Sequence, residues 1–321
     1  MPNFASPPAV SLDTENLALR QLGSTWLDEV MELLADPEGN RLTATTATFT
    51  REQIAEWLRT RPLQTDRCDW AILQAETGEF AGEVVLNEYR ADRNTMNLRI
   101  ALAGPRWYGR GVGTEAMLAV CEYAFDGLGL SAITLEVLVD NPRALAAYLK
   151  VGFKPGRQFN EGKLRFQRMK LDKLGFIETL ANREIAKHLP AGWTFAFDSA
   201  KRRAGLCSYN DQRISLSRYL AEHHGIDEAR QVVWHEVAHG LSGKAAGHGK
   251  VWLATAKSLG YRAERFSGTT IAQNTASWVG ACPAGHEHYR YRKPTRPVSC
   301  GLCSKGFDKR HLIAWQHRPN R

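Results

Sequence analysis

Long apolar runs are missing from this sequence. Its 321 residues contain no stretch of about 18 consecutive apolar residues, so we predict no transmembrane helix and no membrane partner. The first ten residues, MPNFASPPAV, have neither the basic segment nor the apolar segment of a secretory signal. Internal repeats and low-complexity tracts are not found either. From these absences we expect a cytoplasmic protein.

Cysteine is scarce as well, with six residues in the whole chain. So few cysteines at such uneven spacing exclude the disulfide framework of small secreted domains. Three are isolated and are expected to be buried thiols without a function: Cys68, Cys121 and Cys207. The other three lie close together near the C-terminus, as metal ligands do: Cys282, Cys300 and Cys303. This grouping is the first indication of a functional site.

The remaining composition is typical of a folded chain, with 43% hydrophobic and 24% charged residues. The chain is longer than one hydrophobic core usually needs, so we expect two domains of about 150 residues each. The charge is divided in the same way, because residues 1–171 carry a net charge of −3 and residues 172–321 a net charge of +11. We therefore place the two domains at residues 10–171 and 174–321.

The first domain alternates predicted strands and helices, which favours an α/β fold. Capping residues define two of the helices: Thr50 begins one that ends at Thr60, and Asn141 and Gly152 flank another over residues 142–151. A glycine-rich segment, Tyr108-Gly109-Arg110-Gly111-Val112-Gly113-Thr114, stands between a strand and a helix. Backbone N–H groups at a helix N-terminus bind anions such as pyrophosphate, although a glycine cluster alone is also typical of a tight turn.

A second motif supports the anion site, because Asp140-Asn141-Pro142-Arg143-Ala144 leads through Tyr148 to Val151-Gly152-Phe153. With the order of elements, the two motifs resemble the GNAT N-acetyltransferases over about residues 10–170. The resemblance implies a GNAT fold, acetyl-CoA as co-substrate, and transfer of the acetyl group to an amine of a small molecule or a protein. The cofactor-binding residues that it implies are Tyr108, Gly109, Arg110, Gly111, Val112, Gly113, Thr114 and Asn141.

One position departs from the family motif. The family pattern for the pyrophosphate loop is Gln/Arg-x-x-Gly-x-Gly/Ala, in which Gly111 and Gly113 match the glycines but Tyr108 replaces the first residue. A register that begins at Arg106 restores a cation but lies two residues too early for the helix. Backbone contacts from the glycines are expected in either register.

The resemblance also implies catalytic groups for acetyl transfer. Tyr148 would be the general acid that protonates the CoA thiolate, with a tyrosine that merely packs in the helix core as the alternative. The attacking amine must lose a proton, and Glu83 and Glu88 are candidate bases on the strand before the cofactor strand. For both of these glutamates a solvated carboxylate without a catalytic role is the favoured interpretation.

The second domain contains His235-Glu236-x-x-His239 within a predicted helix. Residues four apart share a helix face, so both imidazoles can bind one zinc ion while Glu236 takes a proton from the attacking water. His248 can return over a glycine-containing loop as the third ligand. Three histidines leave one coordination position open, which is typical of a catalytic zinc site.

The surrounding sequence identifies a second family. With Tyr209-Asn210, residues 214–217 and Gly247-His248-Gly249-x-x-Trp252, the zinc helix resembles the SprT-like metalloproteases, which include the Spartan DNA–protein crosslink protease. The resemblance covers about residues 174–321. It implies an α+β zincin-like SprT domain that hydrolyses peptide bonds, with a protein substrate held on DNA.

The C-terminal cysteines fit a zinc ribbon, which we place at residues 278–310. Two knuckles supply four ligands and no open position, as structural zinc sites do: Cys282, His286, Cys300 and Cys303. A histidine replaces the usual second cysteine of the first knuckle. His288 is the competing ligand, and His286 is preferred because Cys-Pro-Ala-Gly-His forms a compact knuckle.

Basic and aromatic residues alternate in this tail. From Ala281 onward nine cations accompany two acidic residues, and the stretch from Tyr289 to Arg296 joins four cations to two tyrosines. Cations that neutralise phosphates beside rings that stack on bases are typical of nucleic-acid binding, so we expect DNA as a partner, with single strands favoured. Association with the nucleoid is then an alternative to a free cytoplasmic location.

The sequence therefore predicts an α/β GNAT fold followed by an α+β zincin-like SprT domain with a C-terminal zinc ribbon. The expected function combines acetyl-CoA-dependent N-acetyl transfer with zinc-dependent peptide hydrolysis. In one alternative the C-terminal half is a non-catalytic module that binds zinc and DNA, which the retained Glu236 argues against. In another, the peptidase is active and the GNAT half only binds CoA or a partner.

Overall fold

A computed structural model describes residues 10–201, 203–263, 272–273 and 275–318. Arg321, the last cation of the basic tail, lies outside the described residues. The chain divides into two compact units, one ending at Leu180 and the other beginning at Ala181. The boundary expected from the sequence, between residues 171 and 174, coincides with the start of a helix over Lys173–His188. Each unit has its own core.

The first unit is built on one mixed sheet. Its strands pair in the order β1-β2-β3-β4-β5-β6-β8-β7. Their bounds are β1 Leu12–Asp13, β2 Leu17–Gln21, β3 Cys68–Gln74, β4 Phe80–Arg90, β5 Thr95–Leu102, β6 Ala132–Leu138, β7 Lys154–Glu161 and β8 Leu164–Asp172. Neighbouring strands run antiparallel except β5 and β6, which are parallel.

The parallel pairing of β5 with β6 is short, and the sheet is open between these two strands beyond it. β5 and β6 pair from Thr95 with Ala132 to Asn97 with Thr134, although both strands continue for several residues. Beyond that point the two strands separate. Since the carboxyl ends of parallel strands lie at the same edge, the segments after β5 and after β6 meet beside this opening.

Some helices of the first unit begin at a side chain that caps them. Their bounds are α1 Leu27–Ala35, α2 Pro37–Leu42, α3 Arg51–Thr60, α4 Val112–Asp126 and α5 Pro142–Val151. The Thr50 side chain accepts a hydrogen bond from the Gln53 N–H and forms a capping box at the start of α3. Asn141 caps α5 and Gly152, at φ 105°, ends it, as predicted. α1 and α3 pack on the sheet through Val30, Ile54 and Leu58.

The second unit combines a small sheet with a helix layer. The bounds are α6 Lys173–His188, which spans the division between the units, β9 Thr194–Asp198, β10 Gly205–Ser208, β11 Arg213–Ser217, α7 Arg218–His223, α8 Ile226–Ser242 and α9 Lys250–Ser258. The strands pair in the order β10-β11-β9, and β11 runs parallel to β9. Ile185 of α6 and Leu189, which directly follows this helix, pack against Val233 and Val237 of α8.

The C-terminal tail forms the third sheet, which has three strands. β12 (Trp278–Ala281) pairs with β13 (Glu287–Arg290) on one side and with β14 (Ala314–His317) on the other. A side chain at Gly280 would collide with Ile313 and Trp315, so glycine lets these residues cover the strand. In the described part of the chain all six cysteines are free thiols, and Cys68 and Cys121 are buried as expected whereas Cys207 is half-buried. No described helix is long and apolar enough to cross a membrane.

Candidate functional site

The three histidines of the second unit meet at one point. The Nε2 atom of His239 lies 3.2 Å from that of His235 and 3.1 Å from that of His248, and the remaining pair is 3.1 Å apart. Because His235 and His239 are four residues apart on α8, both rings leave the same helix face. The three ring nitrogens thus form an almost equilateral triangle.

His248 reaches the triangle through the loop between α8 and α9. Gly243 and Gly247 adopt positive φ angles of 77° and 49°, which favour glycine and turn the chain back toward α8. The Trp252 ring then packs beneath all three imidazoles, with centroid distances of 4.7 to 5.3 Å. Its indole N–H donates a hydrogen bond to the His235 carbonyl at 3.3 Å. His248 itself is exposed, so one side of the triangle faces solvent.

Glu236 lies beside the histidines in a closely packed position and is 7% exposed. A Cβ built on Gly205 of β10 would lie 2.8 Å from both Cγ and Oε1 of Glu236, so the backbone of this strand passes directly against the carboxylate. In the described residues β10 is an edge strand of its sheet. The hydroxyl of Tyr209, which directly follows β10, donates a hydrogen bond to the His239 carbonyl at 3.0 Å.

The second ligand cluster is in the tail. His286 Nδ1 lies 3.6 Å from the sulfur of Cys282, 3.6 Å from that of Cys300 and 3.2 Å from that of Cys303. The sulfurs of Cys282 and Cys303 are 3.8 Å apart. His288 is placed outside this cluster, with Nε2 3.2 Å from the Cys300 sulfur, so it can donate a hydrogen bond to that thiolate.

Both clusters fit zinc. A tetrahedral zinc ion bonds sulfur at about 2.3 Å and nitrogen at about 2.0 to 2.1 Å, which requires ligand atoms separated by roughly 3.3 to 3.8 Å. The measured separations in the two clusters, from 3.1 to 3.8 Å, are close to this range. The tail cluster supplies four donors and the histidine cluster three. The first set would hold a structural ion and the second an ion with an open position.

The glycine-rich segment of the first unit forms a cradle at the start of α4. Gly109 and Gly111 have φ angles of 72° and 84°, and no described atom lies within 4 Å of a Cβ built on either residue. A side chain there would be strained and would occupy the space above the backbone. Val112 begins α4, so the first N–H groups of that helix face the same space.

The structure adds a cation that the sequence analysis did not assign. The Arg143 guanidinium, in the first turn of α5, stacks on the Tyr108 ring with its central carbon 3.9 Å from the ring centre. Tyr108 is the residue that departs from the family motif. Its ring thus holds an exposed arginine beside the glycine cradle, where the motif ordinarily has a polar or basic side chain. Arg143 belongs to the motif Asn141-Pro142-Arg143 in the sequence. Its position beside the glycine cradle, however, depends on the contact between the two segments in the fold.

Tyr148 and Glu83 are both enclosed. Tyr148 is 7% exposed, and burial raises the pKa of its phenol to about 12, an effect that the Arg99 guanidinium opposes. Glu83 was expected to be a solvated carboxylate, and this is wrong. Its Oε2 is fully enclosed and has no hydrogen-bond partner in the described residues. Burial, followed by the charge of Asp69, raises the pKa of Glu83 to about 7. Glu88, in contrast, is exposed as expected.

The basic tail lines a cavity of about 580 Å³, formed by residues 290–296 and Val298. Arg290, Arg292, Lys293 and Arg296 are exposed, and none of them forms an ion pair within the described part of the chain. Tyr291 is held in place, because its hydroxyl lies 2.9 Å from Thr275 Oγ1 and Lys201 contacts its ring at 4.9 Å. This segment, residues 290–296, is named the basic groove below.

Two family models match the chain. The acetyltransferase (GNAT) domain model covers residues 16–154, and the SprT-like family model covers residues 177–272. The chain therefore contains a GNAT acetyltransferase domain followed by an SprT-like domain. The expected fusion and its fold class are confirmed, and the Cys/His cluster of the tail is compatible with the expected zinc ribbon.

Individual proteins are similar to the first domain. The FsC-acetyl coenzyme A-N(2)-transacetylase of Aspergillus fumigatus is 28% identical over 154 residues, which are 44% of this chain and 64% of that protein. The match thus spans less than two thirds of the fungal protein. Spermidine N-acetyltransferase from Vibrio cholerae, in complex with CoA and spermine, is 20% identical over 51% of this chain and 99% of its own, with a TM-score of 0.47. A GCN5-related N-acetyltransferase from Brucella melitensis is 17% identical over 58% and 90%, with a TM-score of 0.49.

We expect the purified protein to contain two zinc ions per chain. His239→Ala should lose one ion with little change in thermal unfolding, whereas Cys300→Ser should lose the other and loosen the tail, because the closed site stabilises the fold around it. Cys68→Ser, a buried thiol far from either cluster in sequence, serves as the control and should retain both ions. Elemental analysis with thermal unfolding checks this. One zinc in the wild type, unchanged by Cys300→Ser, would contradict the ribbon site.

We expect Arg143→Gln to weaken acetyl-CoA binding by about tenfold, because a charge-assisted contact to a phosphate is lost. Arg143→Lys should recover part of the affinity, and Arg93→Gln, an exposed arginine paired with Asp92, should have no effect. Titration calorimetry on the full-length protein measures the Kd. Equal Kd values for Arg143→Gln and the wild type would remove Arg143 from the cofactor site.

Proposed function

We propose that this fusion of a GNAT acetyltransferase domain and an SprT-like domain is an enzyme with two activities. The first domain transfers the acetyl group of acetyl-CoA to an amine, and the second hydrolyses peptide bonds of proteins bound to DNA. The observation that carries the peptidase half is the convergence of three histidine Nε2 atoms within 3.2 Å beside Glu236. The acetyl transfer half is supported by the glycine cradle and by the enclosed Glu83 and Tyr148.

In acetyl transfer, the backbone N–H groups of the cradle bind the pyrophosphate of acetyl-CoA, together with Arg143. The amine nitrogen attacks the thioester carbonyl, and Glu83 accepts the proton that the amine gives up. As the carbon–sulfur bond breaks, the Tyr148 hydroxyl donates its proton to the thiolate. A phenol with a pKa of about 12 keeps its proton at neutral pH, which this role requires.

In peptide hydrolysis, His235, His239 and His248 would hold the zinc ion. When bound, zinc supplies Lewis-acid activation of water and of the scissile carbonyl. Glu236 takes the proton of the attacking water and returns it to the leaving amine. Its packing against the backbone at Gly205 holds the carboxylate on the side of the histidines. The free edge of β10 offers backbone hydrogen bonds to an extended substrate beside Glu236.

The basic groove brings this activity to DNA. Its four cations have no acidic partner in the described residues, so phosphates can neutralise them, and Tyr291 contributes an aromatic face. Binding to the nucleic acid would raise the concentration of DNA-bound protein substrates near the peptidase site. We therefore expect the enzyme to associate with the nucleoid.

We expect single-stranded DNA to stimulate cleavage of a DNA-binding protein by the full-length chain. Alanine at Arg290, Arg292, Lys293 and Arg296 should remove the stimulation and spare the basal rate, because only the concentration of substrate is changed. Glu236→Gln should lower both rates by about 100-fold or more. Gel-based cleavage assays at low and high salt measure these rates, since phosphate contacts weaken with salt.

The matched control replaces four exposed cations of the first unit by alanine: Arg157, Lys163, Arg165 and Lys170. This variant should be stimulated like the wild type. Equal cleavage with and without single-stranded DNA would contradict the DNA role and leave a peptidase of general action. Undiminished cleavage by Glu236→Gln would instead contradict the peptidase assignment.

We expect the kcat/KM for acetyl transfer to rise about tenfold between pH 6 and pH 8, because a base with a pKa of about 7 must be ionised to accept a proton. The charged groups that face Glu83 are Asp69, Arg99, Arg67 and Arg61. Glu83→Gln should remove the inflection near pH 7 and lower kcat by about 100-fold or more, with an unchanged Kd for acetyl-CoA. Glu88→Gln is the control. A wild-type profile without an inflection near pH 7 would exclude Glu83 as the base.

A further inference from the structure

Strand pairing places three charged side chains on one face of the sheet. Val85 of β4 lies opposite Asp69 of β3 and opposite Arg99 of β5. Residues that are directly opposite share a face, and so do residues two apart on one strand. Glu83, two residues before Val85, therefore lies on the same face as Asp69 and Arg99. This face surrounds the proposed base for acetyl transfer.

The carboxylate of Asp69 is already engaged by a neighbouring arginine. Arg67 donates two hydrogen bonds to its carboxylate, at 2.6 and 2.7 Å, and both side chains are largely buried. Both carboxylate oxygens are thus occupied by Arg67, although the charge of Asp69 still raises the pKa of Glu83. Asp69 consequently does not offer a binding site for a cationic substrate.

Arg61 forms no ion pair with a carboxylate among the residues that the structure describes. Its Nη1 donates to Gln64 at 3.1 Å, and its guanidinium carbon lies 4.3 Å from the Trp57 ring. Its Nε is fully enclosed and has no hydrogen-bond partner in the described residues. Partial burial lowers the pKa of Arg61, because desolvation disfavours its charge. A partly dehydrated guanidinium with an unused donor favours the approach of an anion.

Arg99 is the second cation without an acidic partner. It is exposed on the strand face beside Glu83 and forms no ion pair within the described ranges. It lies diagonally across from Glu83 on the neighbouring strand, and its charge opposes the rise in pKa of both Glu83 and Tyr148. Near Glu83 there are thus two guanidinium groups that form no ion pair in the described part of the chain.

We propose that the acceptor for acetyl transfer is an amine that carries a carboxylate close to it, as in an acidic amino acid or an acidic peptide N-terminus. This inference rests on the acetyl transfer proposed above. Arg99 and Arg61 bind the carboxylate and direct the amine toward Glu83. The nitrogen forms the new amide bond, the thioester carbon–sulfur bond breaks, the amine proton goes to Glu83, and the thiolate takes the proton of Tyr148.

A polyamine fits this face poorly. Each ammonium group of spermidine would meet the field of Arg61 and Arg99, and Asp69 is engaged by Arg67. Like charges at such short range cost binding free energy in a partly dehydrated site. The charge pattern therefore separates this acceptor site from one that selects polycations.

The test measures acetylation by the full-length protein with acetyl-CoA and three probes: L-glutamate, a short peptide that begins with glutamate, and spermidine. We expect kcat/KM for at least one glutamate probe to exceed that for spermidine by about tenfold or more. The two glutamate arms distinguish a free amino acid from a protein N-terminus.

Arg99→Gln and Arg61→Gln should each raise the KM for the glutamate probe about tenfold, with little change in kcat or in the KM for acetyl-CoA. Arg99→Lys should restore most of the affinity, and Arg90→Gln, an exposed arginine of the same strand, should behave like the wild type.

Three results would overturn the proposal. They are a preference for spermidine, an unchanged KM for the glutamate probe in both arginine variants, and no acetylation of any probe although acetyl-CoA binds. Absence of acetyl-CoA binding in calorimetry would instead contradict the acetyltransferase function itself. The two failures are therefore distinguishable.

Discussion

The second unit depends on one constraint, that three imidazole nitrogens meet at 3.1 to 3.2 Å. The helical repeat brings two of them together, because residues four apart share a face. The third must return from a loop, and the positive φ angles of Gly243 and Gly247 allow that return. Trp252 fills the space beneath the rings. Helix, loop and following helix are thus held in one arrangement by the requirements of one ligand set.

The first unit depends on a comparable constraint, the enclosure of Glu83. An ionised carboxylate without a hydrogen bond is costly to bury, so its pKa rises until it can be neutral near physiological pH. The same burial makes it suited to accept a proton. Arg99 on the neighbouring strand β5, together with Arg67 and Arg61, limits the rise and leaves positive charge around the group. The enclosure of Glu83 among arginines therefore accounts both for the proposed proton transfer and for the proposed preference for an anionic acceptor.

The two halves handle anions in different ways. The first domain has a net charge of −3, and the site proposed for its anionic cofactor consists of local groups, the N-terminus of α4 and Arg143, so the overall charge is unimportant. The second half, with a net charge of +11, presents four cations that form no ion pair in the described part of the chain and that line a cavity of about 580 Å³. Local donors suit one small ligand, whereas a spread of cations suits a long polyanion. This difference fits the separate roles proposed for the two domains.

Local sequence by itself determined the features that depend on short-range geometry. The bounds of α5 followed from Asn141 and Gly152, and the ligand pair of α8 and the spacing of the cysteine knuckles were readable because a few residues of known conformation fix them. Tertiary structure alone decided the environment of groups that are distant in sequence. The burial of Glu83 depends on three paired strands. The stacking of Arg143 on Tyr108 requires that two helix starts meet at one sheet edge. The position of His288 beside Cys300 requires the closed ribbon. Solvation and charge are properties of the surroundings, and no periodicity along the chain encodes which surroundings a side chain will have.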